Sequence, residues 1–159
     1  MFFPDVFNLG KAFKQYFEIV PALSNELKDE VYRIRHQVYC EELAFEGRRP
    51  DRRESDDYDA HSLHLLIRSV QIGDFIGCTR IVRIRPEDRN QQLPFEKSCA
   101  ATLDRSIVDP AKLPRHTIGE ISRLAVLCRF RKRKGEAQTP EGIAYKNYAT
   151  WKDPRFPYV

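Results

Sequence analysis

Two β-rich runs constrain this 159-residue sequence most: HSLHLLIRSV at 61–70 and FIGCTRIVRI at 75–84, separated only by Gln71, Ile72, Gly73 and Asp74. A parallel pair needs a crossover of a dozen or more residues, so a connection this short dictates an antiparallel hairpin. Both runs are dense in β-branched and long aliphatic side chains, which suit a pleated surface covered on one side. A lone hairpin is marginal in water, so the remaining chain has to supply more strands and a covering layer.

That layer is predicted just upstream. Leu27, Val31, Ile34 and Val38 recur at spacings of four, three and four, one face of an amphipathic helix expected to run to about Leu43. Ser24 suits its N-cap, and Glu26, Asp29 and Glu30 sit near the positive end of its dipole. Before it, FEIVPAL (17–23) reads as a strand weakened by Pro21, and the aromatic-rich residues 1–17 as a short helix over the core. Residues 46–60 and 86–93 read as loops, Pro94–Asp104 as a short helix opening on proline, and IGEISRLAVL (118–127) as the last strand. A weak helix is expected near 141–151. The order β-α-β-β-(α)-β gives an α/β class, a single domain over 1–159 that is expected to stop with a sheet edge uncovered.

Composition narrows the class. With 42% hydrophobic and 31% charged residues the chain is globular in character, not disordered or collagenous. No apolar run approaches the ~20 residues of a membrane span, and the start, Met-Phe-Phe-Pro-Asp-Val, lacks the basic region of a signal peptide. A cytoplasmic protein is expected. Cys40, Cys78, Cys99 and Cys128 form no C-x-x-C pair and have no histidine at zinc-ligand spacing, so reduced, mostly buried thiols and no metal are expected. His61 and His64, three apart, would lie on opposite faces of a strand, which argues against shared metal binding. The net charge of +4 is concentrated at one end: residues 123–159 hold nine basic and three acidic side chains, centred on RFRKRK (129–134) in a basic loop at 128–140. Such a run attracts phosphates or an acidic protein, and reads equally well as a solvated loop.

Three segments carry a family pattern. YRIRHQVYCEELAFE (32–46), ESDDYDAHS (54–62) and GEISRLAV (119–126), in this order and spacing, resemble the acyl-homoserine-lactone (autoinducer) synthases and N-acyl amino acid synthases. The likeness is strongest to the acyltransferases associated with the bacterial PEP-CTERM/exosortase system, and it covers roughly residues 15–159. The resemblance implies a GNAT-type acyl-CoA N-acyltransferase-like fold, a mixed, largely antiparallel sheet flanked by helices. It also implies that the chain is truncated after the fourth strand: the helix that would receive the donor's pantetheine or pyrophosphate, a fifth strand and the closing elements are not encoded. RKRKGE holds a single glycine, so the glycine-rich phosphate loop of coenzyme A-using members is missing too.

By the same resemblance, the synthases' arginine and two aromatics fall on Arg35, Tyr39 and Phe45, where Phe45 replaces a usual tryptophan. Their acidic pair falls on Asp56 and Asp59, their third-strand arginine on Arg80, and the glutamate and arginine of the fourth-strand motif on Glu120 and Arg123. The implied reaction moves a fatty acyl group from an acyl-carrier-protein thioester, or acyl-CoA, to the amine of an amino acid or related small molecule. No permanently bound cofactor is implied. Arg129, Arg131, Lys132, Arg133 and Lys134 would then dock the acidic carrier protein, a reading preferred over nucleic-acid binding. A relative that binds carrier protein or nucleic acid without catalysis is the alternative.

The chemistry suits these residue types. An amine must lose a proton to attack a thioester, so a desolvated carboxylate such as Glu120 can act as general base. Strand alternation puts Glu120 and Ser122 on one face and Arg123 on the other, so both motif residues reach one cleft only if the strand is bulged; otherwise Arg123 braces from behind. The same residues have plainer readings. Arg35 with Asp56 and Asp59 could be an ion-pair network pinning 46–60, Glu120 with Arg123 or Arg80 a structural pair, and Tyr39 and Phe45 core or pocket wall.

Overall fold

The computed structural model describes residues 9–88 and 90–131. The expected helix near 141–151 and the basic residues Lys132, Arg133 and Lys134 lie outside them. Four strands, β1 (Phe17–Pro21), β2 (Ser62–Ser69), β3 (Phe75–Arg83) and β4 (Gly119–Val126), form one sheet in the spatial order β1-β2-β3-β4. Helix α1 (Leu9–Tyr16) precedes β1, α2 (Asn25–Arg35) follows it, and α3 (Pro94–Ser98) lies in the long connection from β3 to β4. Every pairing among the described strands is antiparallel, so the mixed component expected of the sheet does not occur in this part of the chain.

The hairpin forms as its spacing requires. Gly73 takes φ +84°, a left-handed conformation that costs glycine little, and its N–H donates to Ser69 O while the Ser69 N–H donates to Asp74 O. Helix α2 starts at the expected cap, where Ser24 Oγ accepts from the Leu27 N–H at 3.3 Å. It passes directly into a π-helical stretch, His36–Glu42, so the helical run ends close to the expected Leu43. Val31, Ile34 and Val38 pack onto Leu66, Cys78 and Ala125, which register side by side on β2, β3 and β4. Burying each such aliphatic side chain contributes about 1.5–3 kcal/mol. The opposite face of the sheet leaves Ile19, Leu63, Ile121 and Leu124 exposed.

One irregularity positions the site. Cys78 lies opposite Ala125 and Arg80 opposite Ser122, so Arg123 and Leu124 together face the single residue Thr79. This is a β-bulge, and Arg123 holds it with φ +53°. The Tyr39 hydroxyl donates to Leu124 O at 2.8 Å, and Thr79 Oγ1 donates to Ser122 O at 3.1 Å, bracing the bulge from the helix and from β3.

The expectation of mostly buried thiols holds for Cys40 and Cys78 only; Cys99 and Cys128 are exposed, and all four are free. Burial pushes the Cys78 thiol up to about 12.

The bulged strand leaves little room beside it. A Cβ on Gly77 would meet Ala125 O at 2.7 Å and Val126 Cγ2 at 3.2 Å, whereas one on Gly47 would meet nothing within 4 Å. Gly77→Ala is therefore expected to lower unfolding free energy by about 1–3 kcal/mol in urea titrations, and Gly47→Ala to leave it nearly unchanged.

Candidate active site

Arg35, the last residue of α2, is wholly buried. A guanidinium out of water needs carboxylates around it, and the 46–60 segment folds back to provide them. Arg35 Nη1 donates to Asp59 Oδ1 at 2.7 Å, its Nε donates to Glu54, and its Nη2 lies 4.0 Å from Asp56 Oδ2. From β3, Arg80 Nη1 donates to Asp56 Oδ1 at 2.6 Å and Asp59 Oδ1 at 2.7 Å, and its Nε donates to Ser122 Oγ at 3.0 Å. The segment is tied locally as well. The Asp56 N–H donates to Asp59 Oδ2, the Tyr58 N–H to Asp56 Oδ1, and the Glu54 N–H to Tyr32 O.

Arg123 joins from β4 because of the bulge. Its Nη2 lies 3.3 Å from Asp56 Oδ2 and 3.4 Å from Glu54 Oε1, its Nη1 lies 3.3 Å from Glu46 Oε1, and its Cζ sits 5.5 Å from the Tyr39 ring centroid. Three arginines thus face the acidic trio Glu54, Asp56 and Asp59, with Glu46 at the rim. Arg35 Nη2, Arg123 Nε and Glu54 Oε1 are buried without a hydrogen bond, which leaves polar capacity inside the cluster.

The electrostatics divide the site. Burial works to raise the Asp56 carboxyl, but the Arg80 hydrogen bond and charge outweigh it and hold Asp56 at about 2. Asp59 is likewise held below the ordinary range: its burial is outweighed by Arg35. Glu120 behaves oppositely. It sits on β4 opposite Val82, on the same sheet face as Ser122 and Ala125, and burial is the main reason its carboxyl is raised. Its Oε2 accepts from the Phe95 N–H at 2.8 Å.

Several expectations need correcting. Among the described residues Glu120 forms an ion pair with neither Arg80 nor Arg123; both arginines are taken by the acidic trio, so neither structural pair exists. Phe45 is 73% exposed and so is not core, while Tyr39 is partly buried and packs against the core. His61 lies in a 3-10 turn, Asp59–His61, rather than in β2, and its ring contacts Arg85 and Gln91. His64 is buried in β2 with Nε2 3.3 Å from Asp59 O. Arg129 lies 3.6 Å from Asp74, and Arg131 Nη2 donates to Glu42 at 2.5 Å, so the described part of the basic run is engaged with the chain's own acids. Among the described residues no cluster of His, Cys, Asp or Glu is arranged to hold a metal, and no helix is long and apolar enough to cross a membrane.

The sequence reading missed Glu54, Ser122 and the Phe95 N–H. Charge balance was the available signal for Glu54, since two buried arginines and a half-buried third cannot be neutralised by Asp56 and Asp59 alone. Ser122 was visible by register with Arg80; the amide of Phe95 had no signal.

The cluster should be brittle. Arg35→Met, which removes the most buried partner of Glu54 and Asp59, is expected to cost about 3–5 kcal/mol in urea denaturation. Arg68→Ala, which removes a surface pair with Glu18, should cost at most about 1 kcal/mol.

Acid should unfold the chain in two stages. His61 and His64 have pKa values lowered by burial, so the stability they support is present above the unfolded value near 6.5 and is lost as pH falls. Asp56 and Asp59 contribute stability present above 3.8, lost as pH falls toward about 2 for Asp56. Urea midpoints measured along a pH series should fall first in the histidine range and again in the carboxylate range.

Comparison with known proteins agrees with this geometry. Residues 34–140 match the acetyltransferase (GNAT) domain family. Among solved structures, the chain is similar to TofI, determined in a ternary complex with an inhibitor and MTA, at a TM-score of 0.50 and 21% identity. That match covers 69% of this chain and 56% of TofI, so the chain spans little more than half of that protein's length, and the likeness establishes the fold. No curated protein matches the sequence. With the family match extending over most of the described sheet and its acidic–arginine cluster, this chain belongs to the GNAT acetyltransferase domain family.

Proposed function

We propose that the chain is an N-acyltransferase domain that moves a fatty acyl group from an acyl-carrier-protein thioester to the amine of an amino acid or related small molecule. The observation that carries this reading is the bulge at Arg123, which puts Glu120 and Arg123 on the helix-covered face of one strand. In the step, the amine lone pair attacks the thioester carbonyl, the C–N bond forms and the C–S bond breaks. The amine proton passes to Glu120, which returns it to the departing sulfur, so the carrier leaves as a thiol and the carboxylate is regenerated. Desolvation brings the Glu120 carboxyl closer to the working pH, as a general base requires.

Arg123 orients rather than reacts: it is stacked on Tyr39 and tied to Asp56 and Glu46. Arg35, Asp59 and Arg80 are themselves buried and support the acceptor side from behind, holding Asp56 in place. The Asp56 side chain, 27% exposed and ionised, is the carboxylate available to an ammonium group. Phe45, at the open rim, completes the acceptor side. Arg129 and Arg131, together with Lys132, Arg133 and Lys134, supply positive charge for an acidic carrier protein, at a salt-sensitive on-rate. On the sequence resemblance, this reading places the chain with the exosortase-associated acyltransferases of the bacterial cytoplasm.

The test is mass spectrometry of acyl-carrier-protein thioesters incubated with the full chain and a pool of amino acids. The expected result is loss of thioester with a new N-acyl product, reduced about 10²–10⁴-fold by Glu120→Gln with unchanged circular dichroism. Product formation indifferent to that substitution would sink the role of Glu120. Salt-sensitive carrier binding without product would favour a non-catalytic relative.

A further inference from the structure

The connection from β3 to β4 is long and poor in regular structure, yet among the described residues it supplies the hydrogen bond made to the Glu120 side chain. Hydrophobic burial orders its two ends, where Leu93, Phe95 and Ile118 pack with Val82 and Ile84, but not its middle, where Ile107, Val108 and Leu113 are exposed. A largely buried ion pair ties the middle to α3. The Arg115 guanidinium grips the Glu96 carboxylate through both terminal nitrogens, Nη1 to Oε1 at 3.2 Å and Nη2 to Oε2 at 2.7 Å. The same two nitrogens donate to Pro110 O at 3.1 Å and Gln91 O at 2.6 Å. Glu96 also accepts from the Leu93 N–H at 2.8 Å, which fixes the first turn of α3. Three separate turns of the connection therefore converge on one guanidinium, and Phe95 is the residue immediately before Glu96.

We propose that Arg115 and Glu96 act as a positioning pair that presents the Phe95 N–H to Glu120 and so fixes the orientation of that carboxylate toward its substrate. Neither residue touches the reacting atoms. The fork geometry matters: a lysine keeps the charge but cannot make the two parallel bonds to Glu96 while also reaching Pro110 and Gln91. The proposal rests on the reading of Glu120 as the base. The charged groups facing Glu120 are Arg80 from β3, Asp56 from the 46–60 segment and Glu96 from α3. Arg115→Lys leaves all three in place, so a changed titration of Glu120 would report lost positioning rather than altered charge.

The experiment is an NMR pH titration of the full-length chain, following the Phe95 amide and the Glu120 carboxyl carbon, the latter assigned by its disappearance in Glu120→Gln. In the wild type the two resonances should titrate with a common midpoint. In Arg115→Lys the Glu120 midpoint should rise by about half a unit or more, since a donor to the charged form is lost, and the Phe95 response should shrink at least about twofold. A wild-type Phe95 amide that ignores the ionisation of Glu120 would overturn the proposal without any variant. So would unchanged titrations in a folded Arg115→Lys protein. In the N-acyl assay, Arg115→Lys should lower kcat at constant KM and move the acidic limb of the pH profile upward. Absence of turnover in the wild type would overturn the base assignment, while the titrations still decide the positioning pair on their own.

Discussion

A guanidinium with no solvent contact, at the end of the helix that covers the sheet, governs the rest of this molecule. Arg35 cannot be accommodated there unless carboxylates are brought to it, because an unpaired buried charge costs several kcal/mol. That requirement explains why a polar, glycine- and arginine-containing segment at 46–60 folds inward, although it has almost no apolar residues to drive it there. Glu54 and Asp59 arrive to meet Arg35; Asp56 and Asp59 in turn need Arg80. The network stitches helix, loop and central strands through charge where a hydrophobic core would ordinarily serve.

The same network separates the chemical environments on one sheet face. Arginines saturate the carboxylates next to α2 and hold them ionised. A few residues along β4, Glu120 is hydrogen-bonded to none of those guanidinium groups; among the described residues its donor is the Phe95 amide, and burial is the main reason its carboxyl is raised. Two kinds of carboxylate are thereby obtained on one side of the sheet, one held ionised by arginine and the other raised by burial. Proximity to arginine makes the difference.

The fold was largely readable because its elements obey local rules. The short connection at 71–74 forced the hairpin, the four–three–four spacing from Leu27 to Val38 gave the buried helical stripe, and Ser24 marked its start. Alternation along β4 even exposed a conflict between Glu120 and Arg123 that only a bulge could resolve. The site was less legible. Phe45 was matched by its place in a motif, yet nothing in the local sequence says that the chain turns outward there, with Ala44 at φ +54°. From its half-buried strand Arg80 could read as a partner of Glu120 or as a binding residue, whereas a third element, the 46–60 segment, carries its ion-pair partners. Partners delivered by loops, and backbone donors such as the Phe95 N–H, depend on tertiary placement that periodicity does not encode.

The bulge has an implication for how such a site can be lost or kept as sequences diverge. Its function depends on a count of residues between Ser122 and Ala125 more than on their identities. Deleting one of them would restore a regular ladder, keep Ser122 and Ala125 on the covered face and remove the extra position from which Arg123 reaches the acidic trio. The sheet would survive such a change and the charge balance would not. Length in this short stretch is therefore as strict a marker of the arginine–carboxylate cluster as any side chain within it, and a homologue one residue shorter here would retain the fold without Arg123 in that cluster.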